Sequence, residues 1–363
     1  MNPFPQFGIA PIFTSLISHC LAVVAPLCLA ISSPAAEREE WIFQGIEHDS
    51  PTAASVLFLR REAARLTGEW RAGGKAAPGV AVTGTIQADG RELILHFDYP
   101  EGKKSAGTTQ LVPAEDDPEG GGLVQLITDL GTDREYHFRA VPVAADAPSL
   151  PSYDVAFSQG REGIAALHVS YPQFDTAGAD GAHWKTINAR LAGFVKSQRA
   201  AFLAAVKPLP EDLAAVDPPS FGVQFAIRSR RHDTFSVEFT VTSYAGGPHG
   251  RAEHAGFNYH FPSGRFLTIE DLFAVESEWR KTLASRLNAG LVLEGAIEAG
   301  QAPVSAEVVP RLQWTLDLRE HLIFHFAAEE LGLGVPDATI RIPAADLRAA
   351  GLVKTGGVLD RRR

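Results

Sequence analysis

The chain has 363 residues and a formal net charge of -10, with 45% hydrophobic residues, 33 Gly, 24 Pro and 2 Cys. That acidity works against a nucleic-acid or anionic-lipid partner, and the length is ample for two domains with real cores. Both cysteines, Cys20 and Cys28, fall in the apolar N-terminal segment, so a chain that loses that segment has no thiol, disulfide or thiolate metal site.

From Met1 to Ala36 there is no Lys, Arg, Asp or Glu, and ordinary soluble sequence begins at Glu37-Arg38-Glu39-Glu40. The apolar core Leu16 to Ala30 has the length of a signal-peptide hydrophobic region, and small residues suited to cleavage lie between Ser32 and Ala36. Residues 1–36 are therefore expected to be a signal peptide, with an uncleaved N-terminal anchor as the alternative, because a stretch of about 20 apolar residues is long enough to span a bilayer. Neither cysteine follows the small residue that a lipoprotein site requires. A periplasmic or secreted location is expected, with no membrane span after this segment.

Residues 37–150 read as a β-rich domain. Ser55 to Leu59, Val80 to Ile86, Leu93 to Phe97 and Leu123 to Ile127 are short apolar runs separated by Gly, Asp and Pro clusters. Leu66 to Trp70 begins a further strand, and Ala88-Asp89-Gly90-Arg91 carries a hairpin-turn signal. Glu115 to Gly122 reads as a mobile loop. Val141 to Pro151, rich in Pro and Ala, reads as an exposed domain connection, which places the boundary near Leu150.

Residues 151–363 change period. Trp184, Ile187, Leu191, Phe194, Phe202 and Val206 recur at helical spacing, predicting a helix over roughly His183 to Val206. Phe221 to Ile227 and Phe235 to Val241 then alternate as paired antiparallel strands, with Arg228 to Asp233 as a turn. In a third strand Ala255, Phe257, Tyr259 and Phe261 face inward while His254, Asn258 and His260 face out, so the sheet is expected to have one buried face. Thr268 with Glu270 and Asp271 marks a helix start. A second helix, Glu278 to Leu293, carries Leu283, Leu287 and Leu291 on one stripe suited to covering that face. Leu322 to Phe326 and Ala338 to Pro343 read as strands and Ala344 to Ala350 as a closing turn of helix. The fold class expected is α+β, an N-terminal all-β domain followed by an antiparallel sheet packed against helices.

No catalytic constellation emerges. His254 and His260, six residues apart on one strand, would lie roughly 20 Å apart, and His321 and His325 roughly 13 Å apart, at about 3.3 Å per residue. A metal cluster built along either strand is thereby disfavoured, and His325 reads as a half-exposed sheet residue. There is no Gly-x-Ser-x-Gly elbow, Asp337 stands where a dinucleotide loop needs its third glycine, and the Gly73-Gly74-Lys75 and Gly102-Lys103-Lys104-Ser105 turns lack the upstream glycine of a phosphate loop. Arg228, Arg230, Arg231 and His232 form a basic patch whose simplest reading is a solvated hairpin tip. The strongest recognition candidate is Ser243-Tyr244-Ala245-Gly246-Gly247-Pro248-His249-Gly250. Gly246, Gly247 and Gly250 reach backbone angles closed to other residues, so His249 and Tyr244 are presented on a tight loop, for contact with a ligand or as a packed corner.

Several segments fall in a telling order: Ser170-Tyr171-Pro172-Gln173-Phe174, Ile187-Asn188, the Gly-Gly-Pro-His-Gly turn, Asn258 to Phe273, and Leu322 to Pro343. Over roughly Tyr153 to Val353 this order resembles the PdaC/RsiV-like extracytoplasmic modules, found in the non-catalytic part of a peptidoglycan deacetylase and in the lysozyme-binding part of an anti-sigma factor. The resemblance implies an α+β binding module rather than deacetylation. It departs from the family at His260, where an acidic residue is common. The function expected is a secreted or periplasmic, non-catalytic binding module for a cell-envelope ligand, with a lysozyme-like protein or a peptidoglycan-related ligand as candidate partner and Tyr244, Gly246, Gly247, His249 and Gly250 as ligand-binding residues. No catalytic residue, cofactor or metal is assigned. A cell-wall glycan hydrolase using His249, Glu253 or His254 with a captured metal, or a deacetylase-associated protein, is the alternative.

Overall fold

Alternation of apolar and polar residues in the first half builds eight strands: β1 (Glu39–Glu47), β2 (Ser50–Glu62), β3 (Arg65–Ala72), β4 (Val80–Ile86), β5 (Glu92–Asp98), β6 (Lys104–Leu111), β7 (Leu123–Asp129) and β8 (Asp133–Ala140). The computed structural model describes residues 39–47, 50–72, 79–87, 92–98, 104–111, 123–129, 133–141, 143–144, 147–206, 218–246, 249–275, 277–331 and 337–360. The segment 1–36, the turn 88–91 and the loop 115–122 singled out above lie outside them. Each strand pairs antiparallel with the next, and β1 pairs with β8, so the all-β half is a closed meander barrel. Leu57, Leu59, Leu66, Trp70, Leu95 and Phe97 fill its interior, with Trp70 and Phe97 edge to face at 5.9 Å.

Strand β2 is apolar on both faces because its outer face is also covered. Val56, fully buried, joins the core of the second half, and Phe58 meets Tyr153 edge to face at 5.8 Å. The Arg71 guanidinium bridges outward to Asp154 at 3.0 Å. The connection Val141 to Pro151 is not the exposed linker its composition suggests. Val141, Ala144 and Leu150 are buried, and the Ala144 N–H donates to the Arg230 carbonyl at 2.8 Å. Val141, Ala144 and Leu150 line the junction, while Pro148 and Ser149 between them are exposed.

The second half contains β9 (Tyr153–Glu162), β10 (Ala165–Phe174), α1 (Gly181–Ala205), β11 (Ser220–Arg230), β12 (Thr234–Tyr244), β13 (Arg251–His260) and the short β14 (Arg265–Phe266). They form a six-stranded sheet in the order β14-β13-β12-β11-β10-β9. All pairs are antiparallel except β10 with β11, which are parallel because α1 carries the chain over the sheet between them. Trp184, Ile187, Leu191, Val195 and Phe202 bury the apolar stripe of α1 against one face. Asn188 fastens the helix to the end of β10, its Oδ1 accepting from the Phe174 N–H at 2.9 Å and its Nδ2 donating to the Phe174 carbonyl at 2.8 Å.

A 3-10 turn at Ile269–Leu272 follows, with the Asp271 carboxylate accepting from the Thr268 N–H at 2.8 Å. Then come α2 (Trp279–Leu293), β15 (Gln313–Leu316), β16 (His321–Phe326), α3 (Ala328–Leu331), β17 (Ala338–Pro343) and α4 (Ala344–Ala349). Strands β15, β16 and β17 form a separate antiparallel sheet. Here the structure corrects two expectations. Helix α2 packs on β17, with its Leu283, Leu287 and Leu291 in a core of their own, rather than on the six-stranded sheet. The three-stranded sheet instead lies on the face of β11 to β13 that was expected to meet solvent, so Ser236, Glu238 and Asn258 are buried. Polar groups answer one another across the contact: Ser229 Oγ donates to the Leu316 carbonyl at 2.6 Å and Asn258 Nδ2 to the Trp314 carbonyl at 2.8 Å.

The basic patch is a further correction. Strand β11 runs on to Arg230, which is 1% exposed, and Arg231 is 5% exposed, so neither forms a solvated tip. The Arg230 guanidinium lies 4.0 Å over the Phe261 ring, and Arg231 pairs with Glu320 at 3.2 Å. Burial pulls Arg230 down to about 10, against the charges of Asp180 and Asp233. The fold is α+β, an all-β barrel followed by sheets packed with helices, and no helix among the described residues is long and apolar enough to cross a membrane.

Candidate functional site

The β12–β13 turn lies at one end of the six-stranded sheet. Ser220 and Tyr244 face each other across β11 and β12, and Ser243 and Arg251 across β12 and β13, so three strand ends converge there. Beside them Ala328 and Glu329 of α3 complete an open groove of about 380 Å³, lined also by Thr242, Gly250 and Ala252. Of the expected contact residues, Tyr244 and Gly250 line this groove, while His249 and Gly250 are exposed. Gly246 is half-buried with φ +87°, the left-handed conformation that only glycine adopts without strain. Gly247 and Pro248 lie outside the described residues.

A second constellation stands between the two sheets. Glu238 on β12, His254 on β13 and His325 on β16 bring one ligand-type atom each to within 4.8 Å of one another. Glu238 Oε1 lies 2.9 Å from His254 Nδ1 and 3.0 Å from His325 Nδ1, and the two imidazoles stack with centroids 5.7 Å apart. The other side of each group is held as well. Arg228 Nε donates to Glu238 Oε2 at 2.7 Å, His325 Nε2 meets Thr315 Oγ1 at 3.0 Å, and His254 Nε2 lies 3.6 Å from Asp337 Oδ2. His325 is 2% exposed, which overturns its reading as a half-exposed strand residue. The packing of β16 against β13, which turns His325 toward Glu238 and His254, supplies the reason.

The electrostatics are set by burial and charge together. Burial presses Glu238 upward, but the hydrogen bond with His254 and the positive charges beside it outweigh that, holding the carboxyl at about 2. The same hydrogen bond to Glu238 raises His254 against its own burial. Burial dominates for His325 and lowers it to about 3, so at neutral pH it is uncharged, while Arg228 and His254 hold the two Glu238 oxygens by hydrogen bonds. His254 also borders a cavity of about 310 Å³ at the open edge of β13, shared with Arg190, Glu253 and Gln313.

The hydrolase alternative named His249, Glu253 or His254 with a captured metal; of these, His254 contacts Glu238 and His325. Glu238 and His325 were missed because each was judged along its own strand. The signal present in the sequence was a lone carboxylate in Phe235 to Val241 and a lone imidazole in an otherwise apolar run, Leu322 to Phe326.

No family model matches the chain, and no curated protein matches it. The solved structures similar to part of this chain include two DUF3298 family proteins. A DUF3298 family protein from Pseudomonas aeruginosa PAO1 is 16% identical, covering 60% of this chain and 100% of its own, with a TM-score of 0.39. A DUF3298 family member from Bacteroides fragilis NCTC 9343 is 12% identical, covering 58% of this chain and 98% of its own, with a TM-score of 0.35. Overlap at that level carries no argument about activity or ligand.

Proposed function

We propose that this chain is an extracytoplasmic, non-catalytic binding module for a cell-envelope ligand, contacted through the groove at the end of the six-stranded sheet and the Tyr244 to Gly250 turn beside it. The observation that carries the reading is the groove itself: about 380 Å³ of open space floored by three paired strand ends, with Tyr244 and Arg251 at its wall. Contact groups fixed to a sheet lose little freedom on binding, which favours recognition by a preformed surface. The resemblance of the Gly-Gly-Pro-His-Gly turn to the lysozyme-sensing modules supports the same place. A net charge of -10 favours a basic partner, so a lysozyme-like protein is the first candidate ligand and a peptidoglycan fragment the second. Export through residues 1–36 belongs to this reading.

The test is a titration of lysozyme, and separately of soluble peptidoglycan fragments, into the purified protein and into a Tyr244→Ala, His249→Ala double variant. Binding at least tenfold weaker in the variant, and weaker again as salt rises over the range where the Debye length falls below about 10 Å, is the expected result. Equal binding by both proteins would move the site elsewhere, and no binding of either ligand would remove the envelope-receptor reading.

A further inference from the structure

We infer that Glu238, His254 and His325 form a binding site for one divalent transition-metal ion, of the zinc class, held between the two sheets. The donor set is two imidazoles and one carboxylate, the combination that zinc takes in sites that keep a position open for water. In a tetrahedral site, bonds of about 2.0 to 2.2 Å place neighbouring donor atoms about 3.3 to 3.6 Å apart. The Oε1 to Nδ1 separations of 2.9 and 3.0 Å lie a few tenths of an ångström inside that value, so the donors need only part by that much to seat an ion, and all three ligand atoms lie within 4.8 Å of one another.

The surroundings make the stronger argument. Metal-ligating histidines usually give their second ring nitrogen to an acceptor, which fixes the tautomer and aims the other nitrogen at the ion. Here His325 Nε2 reaches Thr315 Oγ1 and His254 Nε2 faces Asp337 Oδ2, so each imidazole can keep a proton on Nε2 when its Nδ1 gives up its own to take the ion. Arg228 occupies Glu238 Oε2 and leaves Oε1 for the ion. Each ligand comes from a different strand of a packed sheet, so the set is rigid. His254, 14% exposed along its side chain, borders the 310 Å³ cavity, which gives an ion a route in and room for water as a fourth ligand. This site is independent of the groove at the β12–β13 turn. The competing account is a hydrogen-bonded cluster that joins the sheets and holds no ion.

The full-length protein, stripped with chelator and dialysed, is titrated calorimetrically with zinc chloride, with cobalt chloride and with magnesium chloride. One zinc ion per chain, a cobalt complex with visible d–d absorption, and no magnesium binding are expected, since magnesium prefers an all-oxygen shell. His254→Ala is expected to weaken zinc binding at least a hundredfold, and Thr315→Val roughly 10- to 100-fold. His321→Ala leaves it unchanged. His325→Ala is expected to weaken zinc binding as His254→Ala does, and if this buried variant does not fold by circular dichroism, the half-buried His254→Gln serves in its place. Zinc should also raise the melting temperature of the wild type and not that of His254→Ala. Absence of stoichiometric zinc binding, or binding that His254→Ala leaves intact, overturns the site and establishes the hydrogen-bonded cluster.

Discussion

The two faces of the six-stranded sheet are both buried, yet by opposite chemistry. Under α1 the contact is apolar: Phe194 of the helix meets Phe239 at 5.5 Å and Phe257 at 5.1 Å, both edge to face. Under β15 and β16 the same strands turn Ser236, Glu238, His254 and Asn258 toward a second layer that answers with Leu316 and Trp314 backbone groups and with Thr315 and His325 side chains. Apolar packing is non-directional and tolerates small shifts, whereas a buried polar layer is satisfied in one register only. The helix face accordingly supplies most of the stability, and the polar face fixes how the small sheet is seated.

Three substitutions set that comparison at risk. Phe239→Ala, on the helix face and fully buried, should cost about 4 kcal/mol, since it removes an aromatic from the centre of the core and leaves a cavity. Urea denaturation reads it, and a loss under about 1 kcal/mol would show that the helix face is not where stability resides. Gly256→Ala, on the polar face, should cost about 2 kcal/mol, because the added methyl would lie 2.0 Å from the Trp314 carbonyl oxygen and backbone on one side must move. A thermal melt shows the cost, and hydrogen exchange at β15 shows whether the small sheet has shifted; an unperturbed β15 would mean the seating is loose. Ser236→Ala should cost about 1 to 2 kcal/mol, as the Leu316 N–H, 3.2 Å from Ser236 Oγ, loses its acceptor in a buried place. Measured as a double-mutant cycle with Asn258→Ala, whose Oδ1 lies 2.5 Å from Ser236 Oγ, the effects should be non-additive. Additivity would dissolve the idea of one connected polar layer.

Much of the fold was legible locally. The alternation of Phe235, Val237, Phe239 and Val241 defines an apolar face, and the period of Trp184, Ile187 and Leu191 defines the helix that covers it. The strands Leu93 to Phe97 and Leu322 to Phe326 were equally readable. What was not readable was the cover on the other face. Ser236, Glu238 and Thr240 are polar, and polarity at alternate positions ordinarily means solvent; only the return of Gln313 to Leu316, far along the chain, makes it mean a second layer. The same gap hid the Glu238, His254 and His325 cluster. The partners come from different strands and different sheets, and periodicity holds no information on which strands meet. The glycine-rich turn was visible because glycine at Gly246 answers a local backbone need.

The closure of β1 onto β8 bears on how this chain behaves at high concentration. A sheet that ends in free strands offers unpaired N–H and C=O groups as a template for another chain, and a barrel has none. In the other half the exposed end of β9 carries Arg161 and Glu162, and along β13 the Gly256 N–H is taken by Gln313 Oε1 at 3.2 Å and the Asn258 carbonyl by the Leu267 N–H at 2.7 Å. A protein built from so many strands thus blunts its edges by closure, by charge and by side-chain capping, three separate guards against strand-by-strand aggregation.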